Sequence, residues 1–138
     1  MRKDSGAITL MDNETMALWY HPKEKIIHHQ FRQFVHGKLL CQMMAKGADV
    51  FVEKGVHKWL SDDRGNGPMM EEDVTWLQAN WLPRVLAGGW KFWAVVMPLT
   101  TLGQMNMRRW IKMYADMGVT AKAFSDLDEA FDWLAEQK

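Results

Sequence analysis

A chain of 138 residues, 48% hydrophobic and 25% charged, is long and apolar enough to build one core that buries roughly two-thirds of the unfolded surface, and its composition lies far from that of disorder. Seventeen basic and seventeen acidic residues cancel, which removes the long-range field that draws proteins to nucleic acid or to anionic membranes. The single cysteine, Cys41, excludes an internal disulfide and suits a reducing compartment. Asp12 and Glu14 interrupt the N-terminal apolar run too early for a signal-peptide core, and no apolar stretch approaches the length needed to cross a bilayer. A cytoplasmic location is the expectation.

In chain order, Ile8 to Leu10 is a short strand candidate, and residues 1–14 are expected either as a loose extension or as that strand. Thr15 to Tyr20 and Lys25 to Phe31 read as two strands of an antiparallel hairpin around His21-Pro22-Lys23-Glu24, where Pro22 fixes φ for the turn. From Val35 to Lys54 the period changes: Leu40, Met43, Met44, Gly47 and Phe51 recur at helical spacing, and Gly55 supplies the stop. Val56 to Leu60 is the next strand, followed by the acidic, glycine-punctuated loop Ser61-Asp62-Asp63-Arg64-Gly65-Asn66-Gly67. A helix then opens on Glu71, Glu72 and Asp73, where negative charge suits the N-terminus. Val74, Leu77, Trp81 and Val85 share one face of it, and Pro83 is expected to kink or divide it.

Trp90 to Met97 is nearly continuous in apolar character, as in a strand covered on both faces. Met107, Trp110, Ile111, Tyr114 and Met117 trace another amphipathic helix ending at Gly118, and Val119 to Phe124 is the last strand. Ser125 followed by Asp128 resembles a capping box for a final helix whose Leu127, Ala130, Phe131 and Leu134 face inward. Strands alternating with helices predict one α/β domain over residues 1–138: a mostly parallel central sheet opened by an antiparallel hairpin, with about four helices.

This order, together with WLSDDRGNG, the W-L-P-R of Trp81 to Arg84 and the closing FSDLDEAFDWL of Phe124 to Leu134, resembles the SpoIIAA-like branch of the STAS superfamily, also described as STAS/Sec14-like. The resemblance spans nearly the whole chain through fold-level landmarks. It implies a non-enzymatic regulatory domain that binds a protein partner or, through the Sec14-like connection, carries a lipophilic small molecule. In the antagonist members a strand-end Asp precedes a phosphorylatable Ser at a helix start. Asp62 or Asp63 matches the Asp, but Met69-Met70-Glu71-Glu72-Asp73 offers no hydroxyl where the Ser would stand.

Eight tryptophans and twelve methionines are in excess, and five of the tryptophans fall between Trp76 and Trp110. Tryptophan brings a large apolar area with an N–H that needs a partner, and methionine fills irregular space; the set suits a heavy aromatic core or an apolar pocket. Trp76 and Trp81, five positions apart on a helix, diverge in direction, so one can pack inward while the other meets a groove. The ligand- or partner-binding set is therefore placed at Ser61, Asp62, Asp63, Arg64, Trp76, Trp81, Trp93 and Trp110, with no catalytic residue, no metal site and no cofactor.

Competing chemistry is thinner. Asp62 and Asp63 could serve a small metal-assisted hydrolase, since hard cations favour carboxylates, but adjacent Asp residues beside Arg64 more commonly make turn and cap hydrogen bonds and an ion pair. His28 and His29 are neighbours in a strand and point to opposite faces, and no HExxH motif or Cys/His pairing accompanies His21, His36 or His57; structural or surface roles are expected for all five. Cys41, among Leu39, Leu40 and Met43, reads as a small hydrophobe. A third reading is a self-associating subunit that pairs its hairpin edge, as a homodimer.

Overall fold

The computed structural model describes residues 6–138; residues 1–5 of the expected N-terminal extension lie outside them. Strands β1 (Ile8–Asp12), β2 (Met16–His21) and β3 (Ile26–Phe31) run antiparallel in succession. Strands β4 (Lys58–Asp62), β5 (Phe92–Val96) and β6 (Thr120–Phe124) then add in parallel, giving one six-stranded sheet in the sequential order β1 to β6. The three-strand opening follows from β1, which pairs with β2 and completes the predicted hairpin into a meander.

The sequential order also fixes the layers. Right-handed crossovers that always step in one direction lay their helices on one face of the sheet. That face carries α1 (Gly37–Glu53), a rod made of α2 (Glu71–Trp76), a π turn (Leu77–Trp81) and α3 (Leu82–Ala87), and α4 (Thr101–Asp116). Helix α5 (Leu127–Glu136) follows the last strand and covers β4, β5 and β6 from the opposite side. Counting the rod as one, the described residues form four helices, as expected.

Four local departures from the sequence reading have physical causes. β4 runs past Leu60 through Asp62, because Ser61 and Asp62 are laddered on both sides, to His29 and Gln30 of β3 and to Val95 and Val96 of β5; two-sided pairing overrides the low strand propensity of Asp. The rod is divided as Pro83 predicts, but the break is a widened turn just ahead of it, which accommodates a residue with no N–H to return to the preceding turn. The last helix is capped one residue later than expected: the Asp126 carboxylate accepts from Glu129 N–H at 2.9 Å, so the N-cap is Asp126. Met117 is exposed instead of facing inward, since the helix ends at Asp116.

Two cores result. On the α5 side, Ile26, Leu60, Ala94 and Val96 meet Leu127, Ala130, Phe131 and Leu134. On the other side, alternate residues of the same strands (Ile27, Trp59, Trp93 and Val95) pack under α1, the rod and α4. Gly47 of α1 lies directly on the Trp59 ring, where a Cβ would stand 2.6 Å from Cη2; only glycine lets helix and indole approach so closely.

Candidate functional site: an aromatic cavity at the strand ends

Strand alternation sends Trp59, Ser61 and Asp63 to one face, and the parallel register sets His29 beside Ser61 and Trp93 beside Trp59. These side chains floor a cavity under the crossover helices, near the carboxyl ends of β3, β4 and β5. Its walls come from Leu40 and Met44 of α1, Leu77 and Trp81 of the π turn, and Gly103, Met107, Trp110 and Tyr114 of α4, with Asn66 to Met69 and Pro98 at the rim. The cavity volume is about 70 Å3, several times the roughly 10–15 Å3 that one water needs.

The wall rings and the neighbouring Trp90 form a chain of contacts, most of them edge to face. Trp81 stands 5.2 Å from Trp59 at 87° and 5.3 Å from Trp90. Trp90 touches Trp93 at 5.5 Å, Trp93 touches Tyr114 at 5.3 Å, and Tyr114 touches Trp110 at 5.6 Å. Each such contact contributes about 0.5–1.5 kcal/mol beyond burial, so the wall is stiff. The Trp81 N–H has no hydrogen-bond partner among the described residues. Burial raises the Tyr114 phenol well above its ordinary value, so it stays protonated.

The floor is polar and ordered. The Trp59 indole N–H donates to His29 Nδ1 at 2.9 Å, and His29 Nε2 lies 2.7 Å from Asp63 Oδ1. An indole nitrogen can only donate, so Nδ1 carries no proton. The imidazole proton therefore sits on Nε2, and His29 is a neutral donor to the Asp63 carboxylate. Trp93 N–H donates to Ser61 Oγ at 2.8 Å. Both His29 nitrogens are engaged, so this imidazole is not placed as a base for Ser61.

Of the residues singled out from sequence, Ser61, Asp63, Trp81, Trp93 and Trp110 are brought together on the cavity. Asp62, Arg64 and Trp76 are not part of its lining. Asp62 points to the opposite face, where it accepts from Arg64 Nε at 2.9 Å and Nη2 at 2.7 Å and from Gln30 Nε2 at 3.3 Å; this bond raises the Arg64 pKa further. The two carboxylates thus serve different faces and cannot close on one ion, and among the described residues no three His, Cys, Asp or Glu side chains form a metal-binding group. Trp76 packs half-buried at the edge of the core. Cys41, half-buried, has its thiol pKa raised by burial and by Asp73.

His29 and Trp59 escaped the sequence reading as site residues. A signal existed: running β4 two residues further puts Trp59, Ser61 and Asp63 on one face. Pairing them with His29 also required the β3–β4 register, which no local pattern encodes. No family model, curated protein or solved structure matches the chain, so its own chemistry carries the functional argument.

Proposed function

We propose that the chain is a non-enzymatic binding domain, of the SpoIIAA-like or STAS/Sec14-like kind, that holds a small lipophilic molecule in the cavity between the sheet, the rod and α4 and acts as a regulator in the cytoplasm. The observation that carries this reading is the ring-walled cavity with the hydrogen-bonded Trp59–His29–Asp63 array at its floor. An apolar chamber with a few fixed polar groups at one end is the usual form of a small-molecule site. The element order supports the family assignment, and the engagement of both His29 nitrogens favours binding over hydrolysis.

A second reading, docking of a protein partner, draws on α4 and its approach, where Leu99 (77% exposed), Leu102 (58%) and Met105 (56%) stand exposed on the segment that gives Pro98, Gly103 and Asn106 to the cavity lining.

Thermal unfolding in the presence of toluene tests the first reading. A ligand of the native state alone stabilises it by mass action, so toluene should raise the Tm of the wild-type chain. Met107→Trp, which fills the cavity from α4, should melt in a single transition and lose that rise. No rise in the wild type, or an equal rise in the filled variant, would contradict the reading.

A further inference from the structure

We infer that the cavity selects a cation: a protonated amine or a quaternary ammonium group carried on an apolar body. The inference rests on the reading of the cavity as a ligand site and names the class of its ligand. Its basis is a charge left unbalanced. Asp63 is 5% exposed, and its hydrogen-bonded side-chain partner is His29, whose protonation is set by Trp59. Because Trp59 donates to Nδ1, His29 can give a proton's hydrogen bond to Asp63 without bringing a positive charge.

No Lys or Arg among the described residues is paired with Asp63. The nearest guanidinium in sequence, Arg64, is bound to Asp62 on the other face. Buried charges are ordinarily paired, because leaving water costs several kcal/mol per ion. Here the Asp63 carboxyl group lines a chamber walled by Trp59, Trp81, Trp93, Trp110 and Tyr114. Aromatic rings attract cations through their quadrupoles, and cages of rings are the common means of holding quaternary ammonium groups. An anion would meet Asp63 at close range, and a neutral apolar ligand would leave its charge uncompensated. A monocation satisfies the floor and the walls together.

The decisive probe is an isosteric pair: benzyltrimethylammonium and its uncharged carbon analogue, neopentylbenzene, titrated into the full chain and read by calorimetry and by the indole N–H signals in NMR. The cation should bind about tenfold tighter or more. Asp63→Asn keeps an oxygen to accept from His29 while removing the charge; it should lose that preference and bind the neutral analogue as the wild type does. Equal binding of the two probes by the wild type, or tighter binding of the neutral one, would overturn the cation assignment and leave the apolar-cavity reading in place. Binding of neither would overturn both. An unchanged preference in folded Asp63→Asn would also overturn the assignment. Should that variant fail to fold, the wild-type comparison still decides.

Discussion

Against α5, Ile26, Leu60, Ala94 and Val96 meet Leu127, Ala130, Phe131 and Leu134 in a mostly aliphatic core with one buried ring, Phe131. Across the same strands, one residue along, the sheet presents His29, Trp59, Ser61 and Trp93 to three crossover elements, and the packing closes around a cavity. Branched side chains fill the space between a strand and a helix closely. On the other face the indoles meet mostly edge to face and border the cavity. The difference teaches that alternation along β3, β4 and β5 divides labour: one parity secures the fold and the other shapes a chamber.

The contrast is open to direct attack. Leu134→Ala and Leu40→Ala, both fully buried wild-type positions, should each cost about 2–5 kcal/mol in urea unfolding. Toluene should recover part of the loss for Leu40→Ala, whose new space joins the cavity, and none for Leu134→Ala. Equal recovery in both would erase the distinction between the faces. Next in size, Gly47→Ala should cost about 1–3 kcal/mol through overpacking, because the Trp59 ring must move. That shift should also alter the His29 ring signals in NMR, and an undisturbed His29 would break the link between α1 and the cavity floor.

Acid should expose the other face. Burial, and then the neighbouring His21 and His29, hold the His28 pKa well below its ordinary 6.5. The folded chain thus takes up this proton less readily than the unfolded chain. As pH falls below 6.5 the unfolded state binds more protons, and stability should decline by up to about 1.4 kcal/mol per pH unit from this group, while above that pH the contribution is complete. Urea midpoints measured from neutral pH downward check the sign; constant or rising stability would contradict it. The smallest effect belongs to Asp126→Ala, which removes the α5 cap and should cost about 1 kcal/mol without changing toluene binding.

Much of this architecture was legible in the chain. Helical spacing marked the inner faces of α1 and α5, the continuous apolar run of Trp90 to Met97 marked the strand covered on both faces, and Gly55 and Gly118 marked helix ends. The tryptophan excess signalled a special apolar region. What stayed hidden depended on tertiary pairing. Ser61 and Asp62 read as loop because their polarity outweighs their strand propensity until both neighbouring strands are present. Asp62 and Asp63 read as one acidic site until alternation sent them to opposite faces. His29 gained its role only from the register that sets it beside Ser61 and within reach of Trp59 and Asp63.

The central claim, that the ring-walled face binds and the α5 face does not, is tested most directly by the indole N–H resonances of the eight tryptophans during titration with toluene. The account predicts saturable shifts at Trp59, Trp81, Trp93 and Trp110, which line the cavity. Trp133, packed on the α5 side, and Trp19, tilted against His28, should stay in place. Silent cavity indoles, or shifts at Trp133 and Trp19 as large as those of the cavity set, would contradict it.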